Sequence, residues 1–369
     1  MKNFRLYKNA VKFSLAGVSL AMSLGACATE PAGKPGAKVR KAAATTDNGS
    51  EFANFGQWRE VREFIDRMVA THGFEPAALE ALFGKVRYVE TAIQLMKPAP
   101  PGRPKNWRAY RARFVEPVRI NGGVAFWDEH ADSLARAEAQ YGVPAEIIVG
   151  ILGVETIYGR NTGNFRVMDA VTTLAFAYPD TPTRQARMTY FRGELENVLL
   201  FARESGVDPF TLLGSYAGAI GWPQFMPGSI RKYAVDFNGD GRIDLRNSPV
   251  DAIGSIANFL VQHGWKSGEP LVFPATVSPD AGAGWEMFIG QGLEAKFTVD
   301  EMRAAGVAPG AEPPADMLFG LVDLQNGGEP TDYWLGANNF FAITQYNRSF
   351  FYAMSVIDLG RAVRSARSR

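Results

Sequence analysis

One carboxylic acid, Glu155, stands at the end of an apolar stretch where its acidity would be altered. The segment 144–159 begins with Pro144, predicted at the first helical position, and has no polar side chain over residues 147–154. This pattern predicts a helix that is buried on every side and ended by Gly159. Burial and the negative end of the helix dipole would both favour the protonated form of Glu155.

A carboxyl group that keeps its proton near neutral pH can serve as the general acid in glycoside cleavage. The same residue could instead be structural and bind a backbone N–H group or a nearby cation such as Arg160. The apolar stretch is compatible with both interpretations, so the choice between them depends on other parts of the chain.

A second stretch, residues 213–227, mixes small residues with aromatic rings and neutral polar groups. Its glycines and alanines let ligand atoms approach the backbone closely. Ser215 and Gln224 offer neutral donors and acceptors, while Tyr216 and Trp222 offer apolar faces. Sugar sites need this mixture, because a sugar presents both C–H faces and hydroxyl groups. Tight helix packing through the small residues would explain the composition equally well.

The segment 236–251 places oxygen-bearing residues at alternate positions, as an EF-hand calcium loop does. In that frame, positions one, three, five, seven (through its carbonyl) and nine are Asp236, Asn238, Asp240, Arg242 and Asp244. Position twelve is Asn247 where a glutamate is expected, and Asp251 could close a longer loop. The segment therefore predicts a structural Ca²⁺ ion; the alternative is an Asp- and Gly-rich turn without metal.

The first 27 residues predict an exported lipoprotein. Four cations precede an apolar run at 13–26, which has the length of a signal peptide and is too short to span a bilayer. The run ends in Leu-Gly-Ala-Cys, similar to a bacterial lipobox, so we expect lipidation at Cys27 and anchoring on the periplasmic face of the outer membrane. Cleavage at an ordinary signal-peptidase site is the alternative. Cys27 is the only cysteine, which excludes an intramolecular disulfide.

The composition is that of a folded protein with two or three domains, at 369 residues and 46% hydrophobic content. The formal net charge is +1 and no basic stripe is present, so we expect no nucleic-acid partner.

Periodicity predicts a mainly α (α+β) fold, with helices over 76–83, 124–141 and 349–364, a helix capped by Asp208, a strand over 317–324 and a loop over 334–341. The predicted organisation is a signal peptide (1–27), a flexible linker (28–50), an α-helical domain (51–140), a core domain (141–270), a small β-containing insertion (271–320) and a C-terminal groove loop with a closing helix (321–369).

Separated motifs in this order closely resemble the membrane-bound lytic transglycosylase B family of peptidoglycan-cleaving enzymes. They lie at 153–159 (GVETIYG), 214–227 (GSYAGAIGWPQFMP), 233–241 (YAVDFNGDG) and 252–258 (AIGSIAN). The resemblance extends from about Phe52 to the end of the chain and is weakest over 270–320. It implies a lysozyme-like core domain with an EF-hand-like calcium loop, flanked by an α-helical domain and a small β domain, with a groove between them.

The resemblance also implies roles for individual residues. It makes Glu155 the sole catalytic acid and base. It places Tyr110, Ser215, Gln224, Asn339 and Tyr346 along the glycan groove. It places calcium at Asp236, Asn238, Asp240, the carbonyl of Arg242, and Asp251. Two departures are visible: Phe259 stands where the family often has tyrosine, and the calcium loop is one residue longer before Asp251.

The implied reaction is cleavage of the β-1,4 bond between N-acetylmuramic acid and N-acetylglucosamine without water, which leaves a 1,6-anhydromuramyl end. This chemistry needs one carboxyl group, whereas an ordinary glycoside hydrolase needs two. The implied partners are peptidoglycan strands and, through the lipid, the outer membrane, with the protein as a monomer. Two alternatives remain: a hydrolytic muramidase, and a calcium-stabilised lipoprotein that binds peptidoglycan without cutting it.

Overall fold

The computed structural model describes residues 55–98, 102, 104–278 and 282–369. The predictions for the signal peptide, for Cys27 and for the linker at 28–50 lie outside these residues. The first helices are α1 (Arg59–His72), α2 (Pro76–Phe83), α3 (Glu90–Leu95), α4 (Trp107–Arg111), α5 (Pro117–Glu129), α6 (Ala131–Tyr141) and α7 (Ala145–Thr156). The remaining helices are α8 (Val167–Ala177), α9 (Arg184–Ser205), α10 (Pro227–Tyr233), α11 (Pro249–Gln262), α12 (Val299–Ala304), α13 (Asn338–Thr344) and α14 (Phe350–Arg367).

The strands form two separate antiparallel sheets. They are β1 (Phe165–Arg166), β2 (Leu213–Gly214), β3 (Val272–Val277), β4 (Phe297–Thr298), β5 (Val307–Pro309), β6 (Leu318–Asn326) and β7 (Glu329–Gly336). The first two strands pair with each other, and the others form a five-stranded sheet in the order β4-β6-β7-β3-β5. This sheet has its own apolar cluster, which includes Phe288, Met302 and Phe319. It also crosses the predicted boundary between residues 320 and 321.

The closing helix α14 packs along the buried helix α7, and glycines bring the two backbones together. A Cβ atom at Gly150 would collide with the carbonyl group of Val356, and one at Gly360 would collide with that of Glu146. Arg364 of α14 also forms an ion pair of 2.6 Å with Glu146. Because glycines without side chains stand at these two crossings, α14 lies close to α7. The first turn of α14 can therefore reach the C-terminal end of α7.

Several predicted elements are confirmed, namely the helix at 76–83, the strand at 317–324 and the helix at 349–364. The single helix predicted over 124–141 is wrong: α5 ends at Glu129, and His130 has non-helical dihedral angles (φ −115°, ψ 26°). This break lets α5 pack against α7 and α14 while α6 packs against α11. The helical pattern of apolar residues continues through 124–141, but the helix breaks because α5 and α6 pack against different sets of helices.

Two other elements also differ from the predictions. Residues 334–341 are not a loop, because they complete β7 and begin α13. Asp208 caps only a short 3₁₀ turn, Pro209–Thr211, by accepting a hydrogen bond of 2.9 Å from the Phe210 N–H group. No helix in the described part of the chain is both long enough and apolar enough to cross a bilayer.

Candidate active site

Glu155 is the penultimate residue of α7, and the backbone after it is unusual. Pro144 has an extended ψ of 138° and precedes the helix, so its prediction at the first helical position is wrong. The helix also ends earlier than Gly159: Ile157 (φ 53°), Tyr158 (φ 54°) and Gly159 (φ 78°) are consecutive left-handed residues. For a β-branched residue and an aromatic residue this conformation is strained, and the surrounding structure must hold it in place.

Two sets of contacts hold this turn. The side chain of Tyr158 fills a slot between α5 and α7. A Cβ atom at Gly123 or Gly153 would overlap it and one at Gly122 would crowd it, and its ring stacks on Phe126 at 5.5 Å. The hydroxyl group of Thr156 donates a 3.0 Å hydrogen bond to the carbonyl group of Trp222 and accepts one of 3.0 Å from the Gly159 N–H group. The backbone that follows Glu155 is therefore held by the packing of Tyr158 and by the hydrogen bonds of Thr156.

Glu155 as a whole residue is partly exposed to solvent, whereas its carboxyl group is buried among protein atoms. Its Oε1 atom accepts a hydrogen bond of 2.6 Å from the hydroxyl group of Tyr352, which lies on α14. Burial raises the pKa of Glu155 to about 7, although the hydrogen bond from Tyr352 opposes this rise. Among the described residues no cation pairs with Glu155, so pairing with Arg160 does not occur. The carboxyl group is thus poised to give and take a proton near neutral pH.

Tyrosine side chains surround Glu155 and stay protonated. Burial and the charge of Glu155 raise the pKa of Tyr110 to about 12. Burial, and after it the charge of Glu155, also raise the pKa values of Tyr346 and Tyr352 well above the usual value for tyrosine. The rings of Tyr346 and Tyr352 stack at 6.2 Å with an interplanar angle of 15°. These hydroxyl groups therefore remain hydrogen-bond donors around the carboxyl group.

Glu155, Gln224 and Tyr346 line one cavity of about 270 Å³. Gln224 has a left-handed backbone (φ 51°), and its amide group donates to the carbonyl group of Gly221 at 2.8 Å. Tyr346 donates a hydrogen bond to the carbonyl group of Pro223. Phe259 lies in the same wall against Tyr346, with ring centroids 4.9 Å apart. Three of the predicted site residues are thus brought together.

The other predicted groove residues have different surroundings. Ser215 accepts a 3.0 Å hydrogen bond from the Ala219 N–H group and does not line this cavity. Tyr110 packs among aromatic rings, including that of Phe351 at 5.5 Å. Asn339 is fully buried, and its amide group bonds the backbone of Lys266 and Glu269. Its placement in the glycan groove is therefore corrected: Asn339 holds a turn, and its polar atoms are already bonded.

Sequence reasoning missed two residues of the cavity region. Tyr352 lies 197 positions from Glu155, and only the packing of α14 on α7 reveals its role. Glu194 lines the same cavity as Glu155, which the sequence did not indicate. Its Oε2 atom accepts a hydrogen bond of 2.8 Å from the Gly228 N–H group. Burial raises the pKa of Glu194, against the opposing effect of that hydrogen bond.

The loop predicted to bind calcium is closed by its own hydrogen bonds. The Asp236 carboxylate accepts N–H groups of residues 239, 240 and 241 at 2.7–3.2 Å. Asp251 is fully buried, and its two oxygens accept three further N–H groups of the loop. No group of three or more His, Cys, Asp or Glu side chains in the described residues is arranged as a metal site. The oxygens of Asn238 and Asp240 also accept hydrogen bonds within the loop, but they are exposed to solvent and open to a cation, whereas those of Asp251 are buried.

A mainly helical fold with a small sheet, and a cavity lined by two carboxyl groups of raised pKa, Glu155 and Glu194, fit a lysozyme-like enzyme that cleaves glycosidic bonds. The comparisons with known proteins agree. The chain belongs to the family described as Transglycosylase SLT domain, whose sequence profile matches residues 56–361. The predicted family and fold class are therefore confirmed, as is the enzyme class, lytic transglycosylase.

Individual relatives support this assignment over most of the chain. Membrane-bound lytic murein transglycosylase B of Escherichia coli (strain K12) is 41% identical over 331 residues, which cover 86% of each chain. The structure of the soluble lytic transglycosylase SltB1 from Pseudomonas aeruginosa matches with a TM-score of 0.75 and 45% identity, and covers 84% of this chain and 100% of its own. The lytic transglycosylase Slt35 of Escherichia coli, solved in complex with calcium, matches with a TM-score of 0.75 and 41% identity over 85% and 96% of the two chains.

Proposed function

We propose that this chain cleaves the β-1,4 bond between N-acetylmuramic acid and N-acetylglucosamine in peptidoglycan and leaves 1,6-anhydromuramyl ends. The observation that carries the proposal is the position of Glu155, a carboxyl group with a pKa of about 7 that lines a cavity beside a tyrosine donor. The name of the Escherichia coli relative, a lytic murein transglycosylase, supports the same substrate class.

Glu155 serves as acid and then as base in this scheme. Protonated Glu155 donates to the glycosidic oxygen, the bond to C1 of the muramyl residue breaks, and an oxocarbenium-like sugar develops. The carboxylate then takes the proton from the muramyl 6-hydroxyl group, whose oxygen bonds to C1. Tyr352 donates to the Oε1 atom of Glu155, so it stabilises the carboxylate between the two proton transfers.

Hydrolysis is the second candidate, because Glu194 lines the same cavity and an inverting hydrolase needs a second carboxylate to activate water. The Gly228 N–H group already bonds the Glu194 carboxylate, which favours a structural role. Mass spectrometry of a digest of purified sacculi separates the two reactions. Transglycosylation gives products lighter by one water than hydrolysis does, and reducing ends alone would contradict our proposal.

We further propose that the enzyme acts at the periplasmic face of the outer membrane through a lipid on Cys27. The name of the Escherichia coli relative describes a membrane-bound enzyme, which supports this location. Incorporation of labelled palmitate that is lost in the Cys27→Ala variant would test the anchor. A zymogram on purified cell wall tests the remaining alternative, a protein that binds peptidoglycan without cutting it.

Calcium binding is proposed at the side chains of Asp236, Asn238 and Asp240 and at the carbonyl group of Arg242, while Asp251 closes the loop through its hydrogen bonds. Support comes from the alternate spacing of these oxygens and from the calcium complex of Slt35. When bound, the cation would neutralise and rigidify an exposed loop. It has no part in the proton transfers, which involve Glu155 and the substrate.

We expect millimolar Ca²⁺ to raise the melting temperature, because a ligand at about 100 times its Kd stabilises the folded state by about 2.7 kcal/mol. The Asp240→Asn variant removes one charged ligand and should lose most of this rise. The exposed Asp316 lies outside the loop, so Asp316→Asn should keep it. A melting temperature of the parent protein that does not respond to Ca²⁺ would contradict the proposed site.

Removing the hydroxyl group of Tyr352 should move the pH profile of catalysis. Its hydrogen bond lowers the pKa of Glu155, so Tyr352→Phe should raise that pKa further. Because the free enzyme needs protonated Glu155, the alkaline limb of kcat/KM should move to higher pH by roughly one unit. Tyr333→Phe, in the β sheet, is the control that should leave the profile unchanged. A limb that stays in place would show that Tyr352 does not set the acidity of Glu155.

A further inference from the structure

The cavity that contains Glu155 is also lined by two cations that the cleavage step does not use. Lys232 lies on α10, and Arg348 lies in the turn between α13 and α14. The amide side chains of Asn197 and Asn347 line the same cavity. Two separate parts of the fold therefore bring positive charge and neutral hydrogen-bonding groups to one recess.

Neither cation forms an ion pair with a described residue. No carboxylate of the described residues lies within 4.0 Å of the charged groups of Lys232 or Arg348. The adjacent Arg231 is quite different, because its guanidinium group binds both oxygens of Glu204 at 2.7 and 3.0 Å. The charge of Lys232 is therefore available to a ligand, whereas that of Arg231 is already paired.

The acidic residues of the cavity offset these charges only in part. Glu155 is partly protonated at neutral pH, since burial raises its pKa to about 7. Burial also raises the pKa of Glu194, and the Gly228 N–H group and Lys232 oppose that rise. When Glu155 is protonated, the two cations face only one other carboxyl group among the described residues of the cavity, that of Glu194, so the balance of charge is positive and favours an anionic ligand.

We infer that Lys232 and Arg348 form a subsite for a carboxylate of the peptide stem that the muramyl residue carries. The inference rests on the proposed function, because it concerns the substrate of the same cavity. Glycan hydroxyl and N-acetyl groups are neutral, so the stem carboxylates are the groups of this substrate that unpaired cations recognise. The subsite makes the enzyme prefer strands with charged stems over strands whose stems are neutral.

The test compares two forms of one substrate, namely purified peptidoglycan strands with free stem carboxylates and the same strands with those groups converted to methylamides. The parent enzyme should have a KM about tenfold lower for the charged strands. The Lys232→Gln/Arg348→Gln double variant should lose this preference, so that its KM values for the charged and the amidated strands become equal. Salt should raise the KM of the parent enzyme on charged strands only.

The exposed Lys85 lies outside the cavity and has no carboxylate partner among the described residues, so Lys85→Gln is the control for loss of one positive charge. It should retain the preference of the parent enzyme, and melting curves should show that all variants fold. A double variant that discriminates between the substrates as well as the parent enzyme does would overturn the subsite. If the parent enzyme cuts neither substrate, the proposed function itself fails.

Discussion

The Glu155→Gln variant is expected to lose at least about 10³-fold in glycan cleavage while it keeps glycan binding. Glutamine has nearly the same shape, and its amide oxygen can still accept the hydrogen bond from Tyr352. It has no acidic proton to give to the glycosidic oxygen and cannot take one back. General acid–base catalysis contributes about 10²–10⁴-fold in rate, and here one residue performs both transfers.

The same substitution should change the pH dependence of stability in a defined direction. Folding raises the pKa of Glu155 from its usual 4.5 to about 7, because burial disfavours the charged form. Between these two pH values the folded state binds a proton that the unfolded state has released, so the parent protein loses stability as pH rises. Glutamine never ionises, and the variant should therefore be relatively more stable than the parent at pH 8 than at pH 4.

Three measurements together decide the role of Glu155. Turnover of purified peptidoglycan gives the loss of activity, sedimentation with insoluble sacculi gives binding, and urea denaturation at pH 4 and pH 8 gives stability. Glu329→Gln, an exposed carboxyl group on β7, is the matched control and should resemble the parent protein in all three. Activity of Glu155→Gln within tenfold of the parent enzyme would remove Glu155 from the acid–base role.

The sequence could predict the helix that positions Glu155 and the low-polarity surroundings that raise its pKa, because an apolar run of this length has few other structures available. It could not predict Tyr352 as a partner, since that contact depends on glycines that let α14 approach α7 over a long separation in sequence. The groove role of Asn339 came only from the family resemblance. Its burial against residues 266–269 depends on tertiary packing and has no local signal.

The strained turn after Glu155 was also beyond sequence reasoning, because isoleucine and tyrosine are poor candidates for a left-handed backbone. Gly159 offered an unstrained end to the helix, yet the turn begins two residues earlier. The contacts of Tyr158 explain why: its ring fills the slot beside Gly122 and Gly153, and this packing stabilises a backbone that local preferences disfavour. The position of Glu155 therefore depends on a side chain that does not line the cavity.

Truncation of Tyr158 to alanine is expected to destabilise the protein by about 3–5 kcal/mol, the usual cost of removing a large buried aromatic ring. Without the ring, the turn after α7 should relax and the carboxyl group of Glu155 should become more exposed to water. The pKa of Glu155 should then fall from about 7 toward its usual value, because burial is the effect that raises it. The alkaline limb of kcat/KM should move to lower pH and kcat should fall, as measured at a temperature where the variant is still folded.

Tyr158→Phe separates the ring from its hydroxyl group. That hydroxyl group is buried and has no hydrogen-bond partner among the described residues, so the protein gains nothing measurable from it. The phenylalanine variant should therefore keep the pH profile of the parent enzyme and be at least as stable in urea. If Tyr158→Phe were as damaging as Tyr158→Ala, the hydroxyl group and not the ring would be responsible. If Tyr158→Ala lost stability but kept the parent pH profile, the ring would support the fold without positioning the acid.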